Sequence, residues 1–259
     1  MSELVLCDVK DGVATLTLHR PEQLNALTVA MGDAFSSKLD EIAENDEVRA
    51  IVLTGAGRAF SAGGDLDFLQ ARQQDTPAGN SAEMKRFYRR FLRMRALGIP
   101  LIAAINGHAI GAGMCLALAC DVRLATPKAK LGLTFVGLGL HPGMGATYLL
   151  PALVGPQVSA RLLLTGETLR AEEMCAMGVV AETHENALER AHELAAKMAA
   201  QAPLAVQQTL LTLREKQDEG LDRALSREAQ CQAANYASAD LAEGIAALKE
   251  KRKPEFKGL

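Results

Sequence analysis

Two loops hold the residues best suited to chemistry. The first is GAGRAFSAGGDL, Gly55 to Leu66, which follows the apolar run RAIVLT, Arg49 to Thr54. The second is NGHAIGAG, Asn106 to Gly113, which follows LIAAI, Leu101 to Ile105, and leads into the apolar stretch Met114 to Cys120. Glycine permits unusual dihedrals and close approach of the backbone to a ligand. A strand that ends in such a turn and feeds a buried helix leaves backbone N–H groups unpaired, and these attract negative charge. The anion could be a phosphate or a developing oxyanion. The second loop has no Lys-Ser/Thr pair of a phosphate loop and no GxGxxG. Either loop by itself reads as a tight turn. Together they suggest a two-donor site for a carbonyl oxygen that becomes an enolate.

The elements that must hold these loops follow from apolar periodicity. Arg49–Thr54 and Leu101–Ile105 are short enough to be strands, whereas Met114–Cys120 has no breaker and reads as a fully buried helix. Residues 3–9 and 13–19 read as two strands around a Lys10-Asp11-Gly12 hairpin turn, ended by Arg20-Pro21. Thr28 can cap a helix with Met31, Phe35, Leu39 and Ile42 on one face, stopped by Asn45-Asp46. Gln70–Asn80 is polar, contains Pro77 and Gly79, and reads as a loop. The helix after it carries an apolar stripe, Met84, Phe87, Tyr88, Phe91 and Leu92. Its other face is basic, with Lys85, Arg86, Arg89, Arg90, Arg93 and Arg95, and such a face is ordinarily solvated. A short helix is expected from Ala171 to Met177, ended by Gly178. From residue 187 onward every segment reads as helix. Ala187–Ala200 comes first; Pro203 opens the next, Glu219-Gly220 ends it, and Ser238 can cap the last. Alternating strands and helices in the first part are the signature of an α/β fold.

Bulk properties narrow the function class. The chain has 259 residues, 49% of them hydrophobic, enough for a large core. A net charge of −3 argues against nucleic acid as the main partner. The five cysteines, Cys7, Cys115, Cys120, Cys175 and Cys231, lack CxxC or framework spacing, which implies a reducing cytoplasm. No apolar run reaches the ~20 residues of a membrane span, and no basic-then-apolar leader starts the chain. No His/Cys/Asp/Glu cluster has metal spacing.

AFSAGGDL, AAINGHAIGAG, LACD and HPGMGATYLLPALVG, together with RPEQLNAL, LLLTGETLRAEEMCAMGVV and EKRKPEF, resemble the enoyl-CoA hydratase/isomerase (crotonase) superfamily over essentially the whole chain. The resemblance implies a ββα spiral core over residues 1–186 with the acyl-CoA site. A helical region over 187–259 would pack on neighbouring subunits, giving a homotrimer or a dimer of trimers. It implies an acyl-CoA thioester as substrate, with coenzyme A as part of that substrate and no separate cofactor. It assigns the oxyanion donors to the backbone N–H groups of Gly64 and Ala112. Glu22, Gln23 and Leu24 would touch the coenzyme A nucleotide, Ala62 and Leu66 would flank the thioester, and Phe256 would come from a neighbouring subunit. Some cations of the basic helix would then meet the coenzyme A phosphates, and the 70–80 loop would border the acyl pocket.

The chain departs from the hydratase pattern at the two catalytic glutamates, whose places are held by Cys115 and Phe135. Hydration needs one group to activate water and one to manage the α-carbon proton, each worth about 10²–10⁴ in rate. Phe135 can do neither, and a cysteine in an apolar helix ordinarily packs as a small hydrophobe. His141 is a further candidate acid or base, in a place where a naphthoyl-CoA-forming relative carries an aspartate near its reaction centre; otherwise it is a loop histidine that caps backbone groups. His108 and Tyr148 read as hydrogen-bonding or packing residues, and Asp65 and Asp67 as loop caps. Ser61 lacks a GxSxG context. The expectation is an acyl-CoA enzyme that stabilises a thioester enolate but is not an efficient hydratase of the usual mechanism. The alternative is an acyl-CoA-binding protein of the same fold.

Overall fold

Val5–Lys10 (β1) and Val13–Leu18 (β2) pair antiparallel across Asp11-Gly12, which have φ of 50° and 77°. Two positive φ values match the twist of a two-residue hairpin turn. Helix α1 (Val29–Ala43) starts at Thr28, whose side chain accepts the Met31 N–H, and buries Met31, Phe35, Leu39 and Ile42 as its spacing predicts. A strand–strand–helix unit then recurs. β3 (Ala50–Gly55) and β4 (Ala59–Ser61) lead to α2 (Leu66–Arg72) and α3 (Pro77–Leu92). β5 (Leu101–Ile105) and β6 (His108–Ile110) lead to α4 (Ala112–Leu118). β7 (Val122–Ala125) and β8 (Lys130–Gly132) lead to α5 (Ala146–Thr165). β9 (Thr168–Arg170), α6 (Ala171–Ala176) and β10 (Glu182–Thr183) complete the core, and α7 (Ala187–Ala199), α8 (Pro203–Asp218), α9 (Leu221–Tyr236) and α10 (Ala239–Glu250) follow. This computed structural model describes residues 3–258.

Both β1 and β2 and the first strand of each later unit join one sheet, ordered β1-β2-β3-β5-β7-β10, and the second strands β4, β6 and β8 join another, ordered β4-β6-β8-β9. Pairing is parallel except for β1–β2 and β8–β9. The result is the ββα spiral that the resemblance implies. In the large sheet Ile51, Leu53, Leu101, Ala103 and Ile105 face the main core. Ala50, Val52, Ile102, Ala104 and Leu124 face Ala191 and Ala195 of α7. Burial on both faces is why these strands read as continuous apolar runs rather than alternating ones.

Three expectations need correction. The polar stretch Gln70–Asn80 is mostly helical: α2 runs through Arg72 and α3 resumes at Pro77. Local caps outweigh its polarity. Asp65 accepts the Asp67 and Phe68 N–H groups, Thr76 accepts that of Gly79, and Pro77 occupies a first-turn position. Helix α4 starts at Ala112, two residues early, because Gly111 turns the chain directly out of β6 with φ 53° and ψ −123°. Finally, the basic face of α3 is not a free stripe. Arg95 lies beyond the helix, 6% exposed, bonding Asp218 and the Ala119 carbonyl. Arg86 pairs with Glu83, Arg90 with Asp33 and Glu83, and Arg93 with Asp40.

Candidate active site

The first glycine loop is held by the RPEQLNAL segment. Asn25, fully buried with φ 54°, donates to the carbonyls of Ala56 and Ala59 and accepts the Arg20 N–H. Ser61 donates to the Asn25 carbonyl at 2.8 Å and accepts the Gly63 N–H at 3.2 Å. The Leu27 N–H donates to the Gly63 carbonyl at 2.7 Å, and the Asp65 N–H to the Leu27 carbonyl at 3.1 Å. These bonds engage the residues on both sides of Gly64. Its own N–H meets no acceptor among the described residues.

The second loop is pressed against the first. A Cβ on Gly63, which has φ 96°, would lie 2.7 Å from the Ile110 carbonyl oxygen and 3.4 Å from the Ala112 nitrogen. One on Gly113 would lie 2.5 Å from the Ser61 carbonyl oxygen, so only glycine lets α4 pack this close to β4. Gly111 donates to the Gly132 carbonyl at 2.8 Å, and Ala112 opens the helix with its N–H unengaged among the described residues. Gly64 and Ala112 both line one cavity of about 740 Å³. A Cβ on Gly64 would meet nothing within 4 Å, so that backbone faces open space.

Ala62, Leu66, Gln23 and Phe135 line the same cavity. Cys115, His141, Glu22, Leu24 and Phe256 do not. Cys115 is fully buried and its thiol donates to the Gly143 carbonyl at 3.3 Å. Burial, and then the negative charge of Glu228, push that thiol well above its ordinary pKa. The half-buried His141 places Nδ1 2.6 Å from the Pro142 carbonyl, while its backbone bonds Asn235 and Gln232. Glu22 and Leu24 lie off the cavity wall, and Phe256 is 42% exposed away from it. Of the basic helix, Lys85 and Arg89 form no ion pair among the described residues. His108 accepts the Lys130 N–H, and the Tyr148 hydroxyl accepts that of Gly220, as hydrogen-bonding roles predict.

The cavity has polar residues that sequence reasoning passed over. Tyr88 of α3 and Gln232 and Tyr236 of α9 line it, each at most 2% exposed. Behind them Glu228, fully buried, accepts the N–H groups of Gly145 and Thr147 and the Thr147 hydroxyl, so it caps the start of α5. Burial raises its pKa despite those bonds. Glu228 and Gln232 lie on the same stripe of α9 as Leu221, Leu225, Ala229 and Tyr236. Polar residues on an otherwise apolar stripe were the available signal. Asp65 also borders the cavity. Burial opposes its charge, but the Arg20 guanidinium and two backbone N–H groups outweigh that and hold its carboxyl below the usual range.

Comparison with known proteins agrees with this architecture. A profile of the enoyl-CoA hydratase/isomerase family matches residues 8–259. The 2,3-dehydroadipyl-CoA hydratase of Escherichia coli K12 is 37% identical over the full length of both chains. The 1,2-epoxyphenylacetyl-CoA isomerase of the same strain is 35% identical, again over both full lengths. The crystal structure of an enoyl-CoA hydratase from Mycobacterium avium subsp. paratuberculosis K-10 superposes with a TM-score of 0.85 at 32% identity, covering 98% of each chain. With a ββα spiral, two glycine loops meeting at one cavity and full-length relatives on both the hydratase and isomerase sides, this chain belongs to the enoyl-CoA hydratase/isomerase family.

Proposed function

We infer that the protein binds an acyl-CoA thioester with its carbonyl oxygen between the N–H groups of Gly64 and Ala112, and that these donors stabilise the enolate formed there. The single observation behind this reading is that both N–H groups border the same cavity and neither has an acceptor among the described residues. As negative charge develops on the thioester oxygen, preset donors gain strength without reorganising, and losing one typically costs on the order of 3–4 kcal/mol. Gln23, Ala62 and Leu66 flank the thioester and its nucleotide carrier. The helices after residue 187 are the region that meets neighbouring subunits, in a trimer or a dimer of trimers, with Phe256 contributed across that contact. All five cysteines are unpaired, which fits a reducing cytoplasm.

With Cys115 and Phe135 in the places of the usual glutamates, the protein is not an efficient hydratase of the two-glutamate mechanism. Asp65, held ionised by Arg20, is a poor proton acceptor for a carbon acid. The second reading is an acyl-CoA-binding protein that retains the cavity without turnover. It draws on the same geometry, since the Cys115 thiol and His141 imidazole lie off the cavity wall. Calorimetry with acetyl-, butyryl- and crotonyl-CoA should show binding, and crotonyl-CoA hydration should be very slow. Installing Cys115→Glu with Phe135→Glu should raise it; Cys115→Ala should leave turnover of the true substrate unchanged. No heat with any acyl-CoA rejects both readings. Hydration at rates ordinary for the family rejects the missing-glutamate assignment.

A further inference from the structure

We propose that the buried end of the cavity is a subsite for a neutral oxygen on the acyl group, a hydroxyl or carbonyl beyond the thioester, which accepts from Tyr236 beside Tyr88 and Gln232. The proposal rests on the acyl-CoA reading above. These three side chains sit among Met84, Phe87, Leu140 and Met144 on a wall that is otherwise apolar.

The hydrogen bonds around them leave the Tyr236 hydroxyl the least well partnered donor. The Gln232 amide is fixed in orientation, because its Nε2 donates to the His141 carbonyl at 2.8 Å. Its Oε1 accepts from the Tyr88 hydroxyl at 2.8 Å. The Tyr236 hydroxyl reaches only the Met84 sulfur at 3.3 Å and that same Oε1 at 3.4 Å. A thioether is a weak acceptor, and 3.4 Å is long for a hydrogen bond between two oxygens. A phenol that is 1% exposed ordinarily finds a good partner. An oxygen on the bound acyl group supplies one. Burial raises the pKa of both phenols and keeps them protonated as donors, against a smaller opposing effect of Arg72 on Tyr236.

Charge limits what that oxygen can be. No Lys or Arg lines the cavity among the described residues, whereas Asp65 and Asp67 do, and Glu228 lies behind the wall. Arg72, the cation that acts on Tyr236, is off the wall, paired with Asp75 and set over the Phe68 ring. An ionised carboxylate entering here would lose its hydration and find only Arg72, which is off the wall and already paired with Asp75. A neutral oxygen loses little and gains a donor.

The test is calorimetry on the full chain with butyryl-, hexanoyl- and octanoyl-CoA, their ω-hydroxy counterparts, and adipyl-CoA. At the chain length that reaches Tyr236, the hydroxy form should bind about tenfold more tightly than the plain one, and adipyl-CoA more weakly than hexanoyl-CoA. Tyr236→Phe should abolish the preference for the hydroxy form over the plain one, an outcome a purely structural tyrosine would not produce. Binding of plain and hydroxy forms alike at every length overturns the proposal, as does adipyl-CoA binding tightest or Tyr236→Phe keeping the preference. The wild-type series decides the matter even if the variant does not fold. Binding of plain acyl-CoA without any preference rejects the subsite alone. No binding of any acyl-CoA rejects the subsite together with the reading it rests on.

Discussion

Adjacent glycines do different work in the first loop. Gly63 has φ 96° and no room for a side chain, while Gly64 has open space where its Cβ would stand. Gly64→Ala should therefore leave the melting temperature within about 1–2 °C of wild type, a surface-like change. Acyl-CoA affinity, measured by calorimetry, should fall roughly tenfold, because the new methyl group occupies space the thioester needs. A large loss of stability instead would show that residue 64 is structural. Asp65, next in the chain, makes a separate prediction. Its folded carboxyl titrates below its unfolded value of about 3.9, so the Arg20 pair stabilises the fold in full above about pH 4. That contribution is lost as pH falls through the lower, folded value. Urea midpoints measured from pH 6 down to pH 3 should fall less steeply for Asp65→Asn than for wild type. Parallel curves would mean that the pair contributes nothing in solution.

At the scale of elements, the contact between α4 and β4 aligns the two loops. It is set by Gly113, whose Cβ would lie 2.5 Å from the Ser61 carbonyl oxygen and 2.8 Å from its hydroxyl. Gly113→Ala must push the helix start away from Ser61 and carry the Ala112 N–H with it. The expected result is a stability loss of about 1–3 kcal/mol by denaturant unfolding, together with a fall in acyl-CoA affinity. Unchanged affinity in a destabilised variant would separate the helix position from binding. Much at this scale was legible beforehand. The α1 face, its Thr28 cap, the Pro203 start, the Ser238 cap and the two central strands all follow from local periodicity and end signals. The 70–80 segment was misread because its polarity was weighed above its caps, Asp65 and Thr76, which were equally visible.

At the scale of the whole molecule, several leucines point outward. Leu204, Leu211 and Leu213 on α8 are 64%, 48% and 58% exposed, and Leu164 at the end of α5 is 76% exposed. A contiguous exposed apolar patch marks a surface that meets another chain, and these leucines are the candidates for one. Light scattering at micromolar concentration should give the mass of three or six copies. Leu211→Asp with Leu213→Asp should lower that mass if α8 lies in the contact. A monomeric wild type would reject the assembly, and an unchanged mass in the double variant would move the contact elsewhere.

The sequence alone determined the features that depend on neighbours a few residues away: strands as apolar runs, helix stripes, caps, turns, and the two glycine loops with their family resemblance. Gly64 and Ala112 were assigned as donors by that resemblance, at places where small residues let a ligand approach the backbone closely. Which side chains look into the cavity was decided only by the tertiary structure. Tyr88 and Gln232, 144 residues apart, meet because α9 packs on α3. Cys115 turns from the cavity toward the Gly143 carbonyl, although one turn of helix separates it from Ala112. Periodicity says that a helix has a buried face, but a fully buried helix such as α4 is buried all round. Whether a residue on it borders empty space or packed atoms depends on how distant segments fill the volume, and no local pattern encodes that.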